Sequence, residues 1–406
     1  MPDERRCLER VDSPDRFGVY VHIPFCASRC DYCAFATWTD KAHLVGTYVE
    51  ACATAAARMA DDGRPATSVF FGGGTPSLLD AGLLESILER IPMSVDTEVT
   101  VECNPESVDF AKLASYRRAG VTRLSFGVQS MRPHVLASLG RRHDPDSVRR
   151  ALSAAGEAGF ADAINVDLIM GAVGESLSDW DATLEAVLCL EPSPVHVSAY
   201  GLTIEPGTPL ARDVSRHPDP DDQADKYLLA DDRLADAGLY WYEISNWAKP
   251  GAQCRHNQLY WAQGEYLGIG CAAHSHRVDA VAGTARRWWN VRTPERYVSL
   301  VGSGGDGEAS GEHLDASQRR TESLVLGLRT ASGVAEVHLP GWREDPVLAH
   351  LVEPAGPGRV ALTREGRLLA NEVALRLVDM DEGRCQVAET DGAPRQPVGS
   401  AIRSPA

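Results

Sequence analysis

Cys26-Ala27-Ser28-Arg29-Cys30-Asp31-Tyr32-Cys33 sets three thiols at C-x3-C-x2-C spacing on one short stretch. Thiolates are the soft ligands that iron–sulfur clusters take, normally four to a cubane. Three on one loop hold three corners and leave one iron open, and an open coordination position marks a catalytic metal site rather than a structural one. Two plainer readings compete: Cys30-x2-Cys33 alone suits a zinc knuckle or a dithiol redox pair. Zinc asks for a second pair at similar spacing, and no other C-x2-C or H-x3-H occurs in the chain. A redox pair has no use for Cys26.

The residues around this loop predict strands and helices in turn. Residues 17–23 are a β-branched and aromatic run, read as a strand that ends where the cysteine loop begins. In 41–62, Leu44, Tyr48, Cys52, Ala55 and Met59 recur every three or four residues, a helical period closed by Gly63 and Pro65. Further strands are expected at 67–71, 97–103, 122–128, 163–170 and 195–200, with helices at 80–91, 109–119, 145–156 and 178–190 between them. Asp144 before Pro145 reads as an N-cap, Gly120 as a helix stop, and Ser178 with Asp181 as a capping box. Six β-α repeats in about the first 200 residues argue for a parallel sheet with helices outside it. They are too few for a closed eight-stranded barrel.

The polar residues then fall in one place. The cysteine loop follows strand one, and Gly72-Gly73-Gly74-Thr75-Pro76 follows strand two. Glu102 ends strand three, Gln129 follows strand four and Asp167 lies near the end of strand five. Each alone has a modest meaning, a turn or a satisfied loop carboxylate. In a (βα) arrangement those strand ends converge on one mouth, so together they argue for one shared site.

Composition narrows the classes. The chain has 406 residues, 44% apolar, enough for a large core and two to three domains. A net charge of −17 disfavours a nucleic-acid partner, whose footprint would be basic and clustered. Ten cysteines at irregular spacing make no disulfide framework, and reduced thiols point to the cytoplasm. The charged N-terminus has no apolar core of a signal peptide. No run of 18 apolar residues predicts a membrane span, which leaves peripheral membrane contact and a homodimer open.

On Tyr20-Val21-His22-Ile23-Pro24-Phe25, the three cysteines and the glycine run, the chain resembles radical SAM proteins (SAM, S-adenosylmethionine) of the oxygen-independent coproporphyrinogen III oxidase group. The resemblance implies an α/β fold, a partial (βα)6 barrel with a smaller C-terminal α+β domain. It implies a 4Fe–4S cluster on Cys26, Cys30 and Cys33 whose open iron chelates SAM, and a one-electron donor such as a flavodoxin or ferredoxin. SAM contacts would come from Tyr20, Tyr32, Gly73, Gly74, Thr75, Glu102, Gln129, Arg141 and Asp167, with Arg142 competing for the place of Arg141.

Beyond 200 the alternation loosens, with a helix expected at 223–237 and a strand at 240–244. Cys254-Arg255-His256-Asn257-Gln258-Leu259-Tyr260-Trp261 carries H-N-x2-Y-W, similar to the heme-linked motif of the heme-chaperone branch of this group. That implies heme as a ligand, with His256, Cys254, Tyr260 and Trp261 about it; taken by residue type alone, His256 is a hydrogen-bonded core or loop histidine. Residues 264–270 look like another family segment near the mouth, and Trp288 and Trp289 read as packing. The expected division is a disordered lead at 1–15, a barrel core at 16–245, an extension at 246–301, a linker at 302–315, a C-terminal domain at 316–385 and a disordered tail at 386–406. Within the last domain helices are expected at 321–328 and 367–377 and a strand at 359–362.

Two functions follow from the resemblance. One is a chaperone that binds heme and passes it to an acceptor protein; the other is SAM-dependent decarboxylation of coproporphyrinogen III. The oxidase pattern carries a fourth cysteine two residues after the third, where this chain has Phe35, and its N-terminal segment is longer than the 19 residues that precede Tyr20. Both differences, with the string at His256, favour the chaperone.

Overall fold

The computed structural model describes residues 16–59, 63–339 and 341–376. The expected lead at 1–15, the tail at 386–406 and residues 377–385 lie outside the described residues. Six strands run parallel and in chain order: β1 (Phe17–Ile23), β2 (Ala66–Gly73), β3 (Met93–Cys103), β4 (Arg123–Gln129), β5 (Ile164–Met170) and β6 (His196–Gly201). Beyond β6 lies the hairpin β7 (Tyr240–Glu243) and β8 (Asn246–Ala248). On the other side β9 (Glu265–Ile269) pairs parallel with β1, followed by antiparallel β10 (His274–Asp279), β11 (Thr284–Asn290) and β12 (Glu308–Leu314). The sheet order is β12-β11-β10-β9-β1-β2-β3-β4-β5-β6-β8-β7, so β1 and β6 do not meet and the (βα)6 barrel is open.

Side chains alternate across a strand with a period of two, and here the period separates two chemistries. Val19, Val21 and Ile23 of β1, Val69 and Phe71 of β2, Val99 and Val101 of β3 and Val166 and Leu168 of β5 share one core with residues of the surrounding helices, such as Tyr48, Leu84, Leu113, Leu152 and Leu184. The opposite set, Phe70 apart, is polar or glycine: Gly18, Tyr20 and His22; Ser68 and Gly72; Glu98, Thr100 and Glu102; Arg123, Ser125 and Gly127; Asn165 and Asp167. Register aligns these in rows, Gly18 with Ser68 and Glu98, then Tyr20 with Phe70, Thr100 and Arg123, then Glu102 with Ser125, Asn165 and His196. A concave face of this composition is a binding face.

Several boundaries differ from the sequence expectation. Strand two continues through Gly72 and Gly73, so the glycine run is half strand and half turn. The helix expected at 41–62 is a 3-10 turn, Ala42–Leu44, followed by Val45–Ala57; residues 60–62 lie outside the described residues. Ser176 and Asp179, not Ser178 and Asp181, form the capping box of the helix Leu177–Leu188, because Ser176 alone has extended backbone there. The stretch read as a linker contains β12, an exposed polar edge strand with no apolar alternation to announce it. The boundary drawn at 245/246 falls within the β7–β8 hairpin. Asp144 caps its helix as expected, and Asp109, read only as the start of a helix, caps its own; each accepts an N–H at 2.8 Å.

A second, smaller core lies under the sheet β13 (Val334–Ala335), β15 (Arg359–Leu362) and β14 (Val352–Gly356) and includes Leu328, Leu339, Trp342, Leu348 and Val360. The helix Ala316–Gly327 leads into it, opened by an Asp315–Gln318 capping box five residues before the expected start. Arg367 lies 4.0 Å from the centroid of the Trp241 ring and pairs with Asp231, tying this core to the barrel.

Candidate functional site

Cys26, Cys30 and Cys33 are free, half-buried and on the loop that leaves the C-terminal end of β1. Burial pushes the Cys26 and Cys33 thiols above their ordinary range. Ligation to a cluster would reverse this, since a bound metal strips the proton from a thiol. The loop is anchored at Cys26, whose N–H donates to Trp38 O at 3.0 Å.

A continuous polar chain links two of these sulfurs through three other loops. Thr75 Oγ1, after β2, lies 3.8 Å from Cys26 Sγ, and Asn104 Nδ2, after β3, donates to Thr75 Oγ1 at 3.2 Å. Arg141, beyond β4, donates through Nη2 to Asn104 Oδ1 at 2.7 Å and to Gly127 O at 2.8 Å, and its Nη1 lies 3.5 Å from Cys30 Sγ. Arg141 Nε is buried with no partner, a donor left over for something between the loops. Arg142 is exposed, so the choice between the two arginines falls on Arg141 by position. Asn104 went unread in the sequence, although Asn-Pro directly after a strand is a turn signal that marks a loop tip.

The glycines form a cradle. A Cβ on Gly74 would lie 2.7 Å from Phe25 O and 2.8 Å from Ile23 O, and one on Gly73 would lie 2.4 Å from the His22 ring. Gly73 has φ +109°, and its N–H donates to Glu102 Oε2 at 3.1 Å. His22 Nε2–H donates to Ala36 O at 2.9 Å and its Nδ1 lies 3.2 Å from Tyr20 Oη, joining the glycine run to the cysteine loop. Gly74→Ala should therefore lower the melting temperature, since neither backbone oxygen can move aside. Overpacking of this kind costs about 1–3 kcal/mol. Thermal melts and SAM titration of the reconstituted protein check it; a wild-type melt with wild-type affinity would refute the cradle.

Glu102 and Asp167 stand half-buried on the concave face. Burial first, and the Asp167 charge second, push the Glu102 carboxyl up to about 8, against the pull of the Gly73 N–H. Asp167 is raised by burial too, but Ser125 Oγ at 2.8 Å and Asn165 Nδ2 at 2.8 Å hold it down. Asp167 is mid-strand in β5, not near its end. Gln129, the last residue of β4, has φ +65°, an unusual conformation for a non-glycine residue. Its amide, with Asn104 and Arg141, surrounds the space over Gly127 where a Cβ would stand. Tyr20 lies in the interior row of β1, and Tyr32 packs on an apolar cluster of Val135, Leu139, Ile169, Ala172, Leu202 and Leu210.

The residues of the H-N-x2-Y-W string lie elsewhere. His256 is buried at 1% exposure on the short helix Arg255–Trp261, with Nδ1 2.9 Å from Ser68 Oγ and Nε2 3.0 Å from Tyr260 Oη. Cys254 is buried too, its thiol pushed up to about 12 by burial and by Glu98. These partners belong to the N-terminal halves of β2 and β3, the end of the barrel away from the cysteine loop. The structure does not bring His256, Cys254, Tyr260 and Trp261 to the cysteine loop, although the His256 ring lies 6.5 Å from that of Tyr20. Trp288 stacks under Arg286 at 4.8 Å and Trp289 against His274 at 5.7 Å, both on the outer strands.

The donor set and the cradle fit a three-thiolate cluster and an amino-acid cosubstrate: three free thiols, a glycine run without room for side chains, an unpartnered guanidinium N–H and two carboxyls. Residues 20–187 match the Radical SAM superfamily model. The chain is 39% identical over 381 residues to the protein of Mycobacterium tuberculosis (strain H37Rv) named heme chaperone HemW, spanning 89% of this chain and 95% of that one. It is 33% identical to the protein of that name from Escherichia coli (strain K12), over 88% and 96%. It is 37% identical to the mouse mitochondrial radical S-adenosyl methionine domain-containing protein 1, over 81% and 76%. In fold it is similar to the coproporphyrinogen III oxidase HemN of Escherichia coli, a radical SAM enzyme, with a TM-score of 0.76 at 22% identity over 90% and 91% of the two chains. The open barrel with its cysteine loop thus belongs to the radical SAM superfamily, whose members carry a 4Fe–4S cluster and SAM, and within it to the family of the heme chaperone HemW proteins.

Proposed function

We propose that this protein is a heme chaperone, which binds heme and hands it to an acceptor protein, with the cluster and SAM governing that cycle. Position 35 is the observation that carries the reading: the decarboxylating pattern has a fourth cysteine there, and this chain has Phe35, 42% exposed. The printed names of the bacterial relatives support the same reading. So does the apolar character of the mouth, where Phe35, Leu78 and Val173 stand exposed on the loops after β1, β2 and β5, surface suited to a flat macrocycle.

When bound, the cluster and SAM supply one-electron reduction and homolytic carbon–sulfur cleavage, fed by a donor such as a flavodoxin or ferredoxin. The chain's own residues position these groups. Cys26, Cys30 and Cys33 hold three irons. Gly73 and Gly74 admit the methionine part of SAM against bare backbone, and Arg141 offers its free Nε–H to the SAM carboxylate. Glu102 and Asp167 would accept from the ammonium and ribose hydroxyls, Thr75, Gln129 and Tyr20 would add further contacts, and Tyr32 would meet the adenine with its backbone or ring. No helix among the described residues is long and apolar enough to cross a membrane. The three accessible thiols suit a reducing compartment such as the cytoplasm.

The test combines two measurements on anaerobically reconstituted protein. Hemin titration should give a saturable Soret change. Incubation with SAM, reductant and coproporphyrinogen III should give no protoporphyrinogen by chromatography. Robust product would overturn the chaperone reading in favour of the decarboxylase, the alternative that the shared fold supports.

A further inference from the structure

We propose that the H-N-x2-Y-W segment is the floor of the barrel, and that His256 is a positioning residue that sets Tyr20 for SAM. The inference rests on the assignment of Tyr20 to the cofactor. The helix Arg255–Trp261 lies across the N-terminal row Gly18, Ser68 and Glu98, which register brings into line on three adjacent strands. Each residue of the row meets the helix. Glu98 Oε1 accepts the N–H groups of Arg255 and His256 at 2.9 and 3.2 Å. Ser68 Oγ holds His256 Nδ1. Gly18 supplies bare backbone: a Cβ there would lie 2.5 Å from Leu259 Cδ2 and 3.2 Å from His256 Cε1. Arg123, from β4, reaches the segment before the helix by donating to Ala252 O at 2.9 Å.

Above this floor lies one layer of rings. The imidazole stacks on Phe70 at 5.4 Å and lies 6.5 Å from Tyr20, and the Phe70 and Tyr20 rings, register partners on adjacent strands, stand 6.3 Å apart. Tyr20 and Phe70 fill the space over Gly72, where a Cβ would lie 3.0 Å from each ring. Gly72 leads directly into Gly73 and Gly74. Packed aromatic rings in a dense interior have little freedom, so the height of the floor fixes the height of Tyr20 and of the glycine cradle. Burial drives the His256 proton affinity down, to about 3, so the imidazole stays neutral and fills space rather than supplying charge. Both its nitrogens are engaged, by Ser68 and Tyr260, so the single lone pair of the neutral ring is not turned to a heme iron.

The experiment compares His256→Ala, His256→Phe, Tyr20→Leu and Gly18→Ala as reconstituted holoprotein. SAM affinity is read from the change that SAM causes in the electron paramagnetic resonance signal of the reduced cluster, and heme binding from hemin titration. His256→Ala and Tyr20→Leu should each weaken SAM about tenfold, as loss of one oriented contact does. His256→Phe, which restores a ring but no iron ligand, should recover most of the affinity. Gly18→Ala presses on Leu259 and on the edge of the His256 ring while keeping the imidazole, so it should weaken SAM likewise, and it carries the test where His256→Ala does not yield folded protein. Hemin titration should be unchanged in all four. Wild-type SAM affinity in His256→Ala and Gly18→Ala overturns the positioning role. A loss with His256→Ala but none with Tyr20→Leu overturns the route through Tyr20. A Soret band altered by both His256→Ala and His256→Phe overturns it in favour of iron ligation.

Discussion

Cys26→Ala, Cys30→Ala and Cys33→Ala should each abolish the broad visible absorbance of the anaerobically reconstituted protein, and with it all SAM cleavage. The expectation is total loss because no substitute thiol is at hand among the described residues. Cys52, Cys103, Cys254 and Cys271 are buried in the packed interior, and burial raises each of their thiols far above neutral pH. Cys189 is exposed, but it caps the C-terminus of the helix Leu177–Leu188, away from the loop after β1. Two of the substitutions also cut the polar chain at its ends, where Cys26 meets Thr75 and Cys30 meets Arg141. The melting temperature of the cluster-free protein should hardly move, since the three side chains are half-exposed loop groups and no core is opened. Iron and sulfide analysis beside the absorbance decides the matter. A full complement of four irons in all three variants would reject the ligand assignment.

Strand starts and strand ends were legible because the chain marks them chemically. β-branched runs stop before Cys26, at Gly72 and at Cys103, and Asp144 before Pro145 announces its helix with the right side chain at the right place. The same clarity put the cysteine loop, Glu102 and Gln129 at one end of the sheet. What the sequence hides is anything decided by a neighbour distant in the chain. Ser176-x2-Asp179 and Ser178-x2-Asp181 are equivalent as strings, and only the backbone of the fold selects the first. β12 reads as a linker because an edge strand exposed on both faces needs no apolar period. β9 takes its place beside β1 from more than 240 residues away, so the helix before it comes to lie across Gly18, Ser68 and Glu98. Asn104 and His22 were passed over for a related reason: their roles exist only through Arg141, Thr75 and Gly73, which other loops bring to them.

Glu102 should make SAM binding steeply dependent on pH. Two carboxyls share the concave face, and their surroundings push them apart. Asp167 receives Ser125, Ser198 and Asn165 as donors, whereas Glu102 receives only the Gly73 N–H. The proton therefore settles on Glu102, which holds it up to about pH 8 in the free protein. SAM carries a sulfonium and an ammonium against one carboxylate, a net positive charge that favours the ionised form of Glu102. Below pH 8 the cofactor must expel that proton to bind, so its dissociation constant should rise by about tenfold for each pH unit from 8 downward. Above 8 it should be flat. Glu102→Gln removes the titration, so its profile should be level from pH 6 to 9, and weaker than wild type at the upper end. Stability runs the other way. A carboxyl whose folded affinity for the proton is raised stabilises the fold most below its unfolded value near 4.5, and that contribution is lost as pH rises through about 8. The cluster-free Glu102→Gln protein should accordingly melt above wild type at pH 9 and no higher than wild type at pH 5. Titrations that are parallel and level in both proteins across this range would show that the carboxyl facing Asp167 is already ionised, and would remove Glu102 from the electrostatics of SAM capture.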